Sequence, residues 1–208
     1  MASLEKLDLY KLHKDQYVNA KTPVLVTIDE AAYLTIDGRG APGGPEFESR
    51  IGALYGAAFT IKMTRKATAP QDYVISKLEA VWSFDDPSGG FDTVPPEQWN
   101  WKMMIRTPDF VEPVELEKAA ALLIEKGKAP EADKVKLERL AEGLCVQMLH
   151  VGPYEEEDRT VEQMAGFVTQ QGLVLHGCHH EIYLSDPRRV PPERIKTILR
   201  HPVRRKGK

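Results

Sequence analysis

Cysteine is scarce in this chain, with only Cys145 and Cys178 among 208 residues. Two thiols cannot staple a small secreted framework, and in a reducing compartment they behave as small hydrophobes. No apolar run approaches the roughly 18 residues a membrane-spanning helix needs. The start, MASLEKLDLYKLHKDQ, lacks the charged-then-apolar layout of a signal peptide. Both absences predict a cytoplasmic protein without a membrane partner. An excess of one charge is missing too: 28 Lys+Arg stand against 31 Asp+Glu, a net charge of −3. That balance argues against direct nucleic-acid binding. Only the tail PERIKTILRHPVRRKGK is basic, and no aromatic platform interrupts it, so it reads as a solvated end.

Familiar reaction motifs are absent as well. There is no GxSxG elbow for a nucleophilic serine, no CxxC or HExxH for a metal, and Gly38-Arg39-Gly40 is a turn rather than a dinucleotide fingerprint. The segment His176-Gly-Cys178-His179-His180-Glu181 invites a metal reading that geometry weakens. In one strand His176, Cys178 and His180 would span about 13 Å, too far for a single ion with ligands near 2 Å. No metal and no cofactor is therefore expected.

What the chain does have is a 42% hydrophobic composition and clear punctuation. TPVLVTIDEAAYLTIDGRG reads as two β-prone runs separated by Asp29-Glu30. Phe47, Ile51, Leu54, Tyr55, Ala58 and Ile61 then follow one helix face, and the helix should end near Arg65. SKLEAVWSF and WNWKMMIR are strand-like, with DDPSGGFDTVPPEQ between them. VELEKAAALLIEKG is helical and KVKLERLAEG reads as a second short, charged helix. GLCVQMLHVGPY is a strand, and Glu155 to Gln171 a helix with Val161, Met164, Ala165 and Val168 on one face. LVLHGCHHEIYLSDP is a long strand or tight hairpin, and TILRHPV the last strand. The acidic run Glu155 to Asp158 is explained by the helix dipole.

The two halves overlay. YLTIDG against QMLHVG puts Gly38 on Gly152, and KLEAVWS against HHEIYLS puts Glu79 on Glu181. This reads as a duplicated β-α-β-β unit: repeat one over about 23–108, a helical connector over about 112–143, and repeat two over about 144–204. The fold class that follows is α+β, with the units forming one antiparallel sheet, helices on one face and a ligand cleft at the repeat junction.

Glu79 and Glu181 sit inside β-prone strands, where a carboxylate is rare unless it has a partner or a purpose. Matching positions in two halves would bring them together, so that like charge and burial tune one as a general base, a general acid or a counter-ion for a cation. Aromatics cluster near them. Tyr183 shares the strand face of Glu181, Trp82 and Trp101 flank Glu79 in the first half, Tyr55 is on the first helix, and Tyr154 follows the Gly152-Pro153 turn. Phe47 and Phe167 read as core, whereas Trp99, Trp101 and Tyr154 lie beside turns, where one ring edge stays wet.

YLTIDGRGAPGG, ALYGAAFTIK, LEAVWSF, WNWKMMIR, LHVGPYEEE, HHEIYLSDPRR and TILRHPV together resemble the GyrI-like small-molecule-binding superfamily, in its form without a DNA-binding domain. The resemblance implies an aromatic-lined cleft with a carboxylate at its floor, here Glu181, and the tyrosine of the GPY turn, here Tyr154. Its implied ligands are bulky hydrophobic, planar or cationic small molecules. Some standalone members are similar to hydrolases that open the cyclopropane ring of DNA-alkylating natural products, a detoxifying role without a cofactor. In that case Glu181 and Tyr154 are the catalytic pair, and Tyr55, Glu79, Trp82, Trp101, Met148, His150 and Tyr183 line the ligand. The proton donor stays open between Tyr154, Tyr55 and Tyr183. Two alternatives accompany it: a non-catalytic module that sequesters drugs, and a protein that contacts DNA gyrase or a regulator.

Overall fold

In the computed structural model, which describes residues 6–68, 71–86 and 89–207, the chain runs α1 (Leu9–Leu12), β1 (Val24–Ile28), β2 (Ala31–Arg39), α2 (Pro45–Thr68), β3 (Leu78–Ser83), β4 (Asn100–Arg106), α3 (Pro113–Glu125), β5 (Lys136–Leu140), β6 (Gly143–Val151), α4 (Asp158–Gln170), β7 (Leu173–Leu175), β8 (His179–Tyr183) and β9 (Lys196–Arg205). The strands make one open sheet in the order β1-β6-β9-β8-β3-β4-β2-β5, with β7 paired to β9. This is the α+β class with an antiparallel sheet that the strand and helix patterns predict. The chain divides into two compact units. One comprises Met1–Leu12, Ala31–Leu78 and Trp82–Leu140, the other His13–Glu30, Glu79–Val81 and Ala141–Lys208.

In the first unit β2 pairs with β4 along one edge, from Tyr33↔Arg106 to Arg39↔Asn100. Six consecutive residues, Ala31 to Ile36, are buried. Helix α2 opens with Pro45 at its first position and Glu46 and Glu48 in the first turn, where fixed φ and negative charge both suit a helix start. It buries Ala53, Leu54, Ala57, Ala58 and Ile61 and runs three residues past the expected Arg65. Gly38 has a steric reason. A Cβ there would stand 2.0 Å from the Trp101 ring, which lies across the strand at that point.

The segment KVKLERLAEG corrects the sequence reading. It holds no helix but the strand β5, paired with β2 from Ala31↔Leu140 to Thr35↔Lys136. Five residues cannot sustain a helix alone, whereas pairing satisfies the free edge of β2. Its charges are those of a protected edge strand. Glu138 accepts from Thr35 Oγ1 and from Lys102 Nζ, the latter at 2.6 Å.

In the second unit β9 is the organising strand. It pairs with β6 from Cys145↔Pro202 to Val151↔Lys196, with β8 from His180↔Arg200 to Tyr183↔Thr197, and with β7 from Leu173↔Arg205 to Leu175↔Val203. The expected long strand or hairpin at LVLHGCHHEIYLSDP is thus two short strands riding on one partner. They are interrupted at Gly177, whose φ of +71° suits only a residue without Cβ. Met164 and Val168 of α4 pack on Val146, Met148, Leu199 and Val203 to form this unit's core. The expected helix from Glu155 begins later: Tyr154–Glu156 is a single 3₁₀ turn, and α4 starts at Asp158.

Candidate functional site

Strand parity sorts the second unit's polar residues onto two faces. Glu181 stands opposite Leu199, and Leu199 opposite Met148, so Glu181 lies on the face covered by α4, together with His179 and Tyr183. His180 stands opposite Arg200, and Arg200 opposite Gln147, on the other face.

On the α4 face, Glu181 is 7% exposed. His179 Nε2 lies 3.4 Å from its Oε1, and the Tyr183 hydroxyl hydrogen-bonds to it. The rings of Tyr154 and Tyr183 meet edge to face at 6.1 Å. Burial, then the charge of Glu181, pushes the Tyr154 phenol up to about 12. The same two causes, with its hydrogen bond to Glu181, hold Tyr183 well above the ordinary range. Both therefore keep their protons at neutral pH and are hydrogen-bond donors.

Glu157 completes the group. It caps α4 between the 3₁₀ turn and the first helical residues: its N–H donates to Tyr154 O at 3.1 Å, and its carbonyl accepts from Thr160 N at 2.8 Å and Val161 N at 3.0 Å. Burial, and after it the charge of Glu181, holds its carboxyl far above the usual carboxylate range. One ligand atom from each of Glu157, His179 and Glu181 lies within 4.8 Å of the other two, so these three can also hold a metal ion. The dipole reading of the acidic run overlooked Glu157, although the sequence carried a signal. Glu157, Thr160, Val161, Met164 and Val168 share one i, i+3, i+4, i+7 stripe, which places an acid on the apolar face of the helix.

His150 and Met148 belong to the scaffold of this site. Met148 is a core residue, 5% exposed. His150 Nε2 lies 3.1 Å from Pro153 O and must donate to that carbonyl, so Nδ1, 2.9 Å away, accepts from the Thr160 hydroxyl. The imidazole thereby ties the turn carrying Tyr154 to the first turn of α4. Gly152, at φ +148°, makes the turn and passes 3.3 Å from that ring at its missing Cβ.

Glu79 does not join Glu181, contrary to the overlay of the two halves. It is fully buried and accepts from Tyr17 OH at 2.9 Å and His180 Nε2 at 3.0 Å. That contact puts it on the His180 face, because adjacent residues of a strand point to opposite sides and a slip of one residue reverses the face. His180 Nδ1 also meets Glu142 at 2.9 Å, while Arg200 donates to Glu142 at 3.0 Å and to Gln147 at 2.8 Å. Burial disfavours the His180 charge, but Glu142's charge and hydrogen bond and the Glu79 hydrogen bond outweigh it and lift its pKa to about 9. Burial likewise opposes the Glu142 charge, and the cations His180 and Arg200 nevertheless bring it down to about 2. This network ties the segment 13–30 to the sheet. Of the series His176 to Glu181, whose spacing along one strand argued against a metal, His180 is thus committed to the opposite face, and His176 is exposed.

Tyr55, Trp82 and Trp101 belong to the first unit. Trp82 and Trp101 are 4% and 2% exposed. Both pack on Phe47, at ring separations of 6.2 Å and 5.2 Å, and Trp82 also meets Trp99 at 5.9 Å. Trp101 donates to Gly40 O at 3.2 Å, whereas Trp82 Nε1 is buried without a partner. Tyr55 is half-buried on α2, its ring 6.4 Å from Phe59.

An α+β sheet protein with a buried acid pair beside two protonated tyrosines has the make-up of a small-molecule site. The model of the GyrI-like small molecule binding domain matches residues 21–204, and the chain belongs to that family. Among solved structures it is similar to an uncharacterized conserved protein from Listeria innocua, at 38% identity and a TM-score of 0.89 over 96% of this chain and 100% of that one. It is also similar to a hydrolase from Listeria innocua, at 37% identity and a TM-score of 0.85 with the same coverage. The EcmrR C-terminal domain shares the fold alone, at 13% identity and a TM-score of 0.56 over 89% of this chain and 98% of that one. No curated protein matches the chain. No helix among the described residues is long and apolar enough to cross a membrane.

Proposed function

We propose that this protein binds bulky, planar, hydrophobic compounds, cationic ones included, and hydrolyses cyclopropanoid genotoxins among them. Glu181 takes a proton from water as the water oxygen bonds to a cyclopropane carbon. The strained carbon–carbon bond breaks, and its electron pair flows into the conjugated ketone, which becomes a phenolate. A tyrosine hydroxyl donates a hydrogen bond to that oxygen as charge builds on it, either Tyr154 or Tyr183 once its single proton turns from Glu181 to the substrate. Both tyrosines are neutral donors across the neutral pH range.

The observation that carries this reading is the buried Glu181 with two phenolic donors on its own face of the strand. The Listeria innocua hydrolase, at 37% identity, supports it. Incubation with a cyclopropane-containing alkylator and mass analysis of the water-added, ring-opened product tests it. Wild type should form that product faster than buffer, and Glu181→Gln should lose most of the acceleration. Equal rates for wild type, Glu181→Gln and buffer refute it. The second reading, a module that sequesters such compounds unchanged, draws on the family's small-molecule binding and on the same buried acid pair. It prevails if wild type binds the compound saturably and returns it intact.

A further inference from the structure

Two features of the second unit stand outside this chemistry. His179 has no part in it, and Glu157 Oε1 is a buried oxygen that meets no hydrogen-bond donor. Glu157 itself is 9% exposed. A buried acceptor left without a partner costs free energy unless something supplies positive charge or a proton. Among the described residues, no lysine or arginine forms an ion pair with Glu157 or Glu181. What stands beside the two carboxylates, besides the hydroxyls of Thr197 and Tyr183, is an imidazole nitrogen. Neighbouring ligands on a tetrahedral zinc ion, each at roughly 2.0–2.1 Å, lie about 3.3–3.4 Å apart. His179 Nε2 and Glu181 Oε1 are already separated by 3.4 Å. All three ligand atoms fall within 4.8 Å of one another, so closing on an ion asks little of the Glu157 side chain.

We propose that Glu157, His179 and Glu181 bind one divalent transition-metal ion of zinc size. The elements suit the task. His179 and Glu181 are two residues apart on β8, hence on one face. Glu157 is held at the start of α4 by its own backbone bonds, next to the Thr160 and Pro153 positions that His150 ties together. One imidazole and two carboxylates without a thiolate favour zinc over Cu(I), and the nitrogen donor disfavours calcium and magnesium. Three protein ligands leave a fourth position open to solvent or to a ligand. Binding does not rest on the hydrolytic reading. It does bear on it: a Glu181 oxygen committed to an ion is not available to take a proton from water, so hydrolysis and metal uptake are measured on separate, chelator-treated samples.

The test is a titration of the chelator-treated full chain with zinc chloride, read by calorimetry and by competition with a chromogenic chelator. Wild type should take up one ion per chain. Glu157→Gln and His179→Asn should each weaken binding on the order of 100-fold or more, since losing even an outer-shell partner costs 10–100-fold. Cys178→Ser should leave it unchanged. Circular dichroism and melting curves establish that each variant is folded. The proposal is overturned if folded wild type shows no saturable uptake, or if Glu157→Gln and His179→Asn bind zinc as wild type does. The two readings fail separately. A protein that hydrolyses through Glu181 but takes up no zinc loses only this proposal, and one that takes up zinc but forms no product when assayed zinc-free after chelator treatment loses only the other.

Discussion

Replacing Glu142 by Gln should make this protein sensitive to its own buried cations. Glu142 bridges His180 and Arg200, at 2.9 Å and 3.0 Å, and its side chain is only 18% exposed. Its carboxyl falls from an ordinary 4.5 to about 2 on folding. At about 1.4 kcal/mol per pKa unit, ionised Glu142 contributes on the order of 3 kcal/mol. The folded value lies below the unfolded one, so this contribution is fully present above about pH 4.5 and disappears as pH falls through 2. Glu142→Gln removes it at neutral pH and leaves Arg200, which cannot shed its proton, facing an amide. The melting temperature should drop by roughly 6–12 °C at pH 7, at the 2–4 °C per kcal/mol usual for chains of this size. The assay is a pair of melting series from pH 7 to pH 3. The gap between wild type and variant should shrink to less than half its neutral value by about pH 3. A gap that is absent at pH 7, or that stays constant down to pH 3, would refute the reasoning that the ionised carboxylate holds these two cations.

Two further substitutions separate packing from positioning. Gly38→Ala forces a methyl group to within 2.0 Å of the Trp101 ring, which is 2% exposed and has nowhere to retreat. It should cost about 1–3 kcal/mol with a changed near-ultraviolet tryptophan signal, and an unaltered melting curve would show that the ring yields freely. His150→Ala breaks the bonds to Thr160 and Pro153 and should destabilise by about 1–3 kcal/mol while slowing the Glu181-dependent reaction. His150→Gln, which can still donate to one partner and accept from the other, should recover part of the rate at unchanged substrate affinity. If both variants melt lower but react as wild type, His150 supports the fold alone.

Much of the fold is legible in the chain because period and punctuation agree. Pro113 and Gly127 bracket α3 as such residues should, and the β-prone run after Asp29-Glu30 is the strand β2. Lys136–Leu140 is not legible in this way, because a short charged stretch has no period of its own. Its state is decided by the unpaired edge of β2, a partner a hundred residues earlier. The site divides in the same way. Strand parity and the GPY turn single out Glu181, Tyr183 and Tyr154 as candidates. Glu157 was hidden by a sufficient local explanation, the helix dipole. Glu79 was misdirected by an overlay that aligned residue types one step out of phase with the faces they occupy. A carboxylate in a strand announces that it has a partner but not whether that partner is ligand or protein, and for Glu79 the answer, Tyr17 and His180, comes from segments 62 residues before it and 101 residues after it.

The alternation along β8 has a consequence for redesign. His180 and Ile182 face one side of the strand, while His179, Glu181 and Tyr183 face the other. On the proposed reading of the site, the odd-numbered positions are the ones to randomise in a library for new ligand preferences, while the even-numbered ones are held fixed as an anchor. The anchor lies in the same five residues that carry the variation. Selection for a new preference along this strand then has a narrow but separable set of positions to work on.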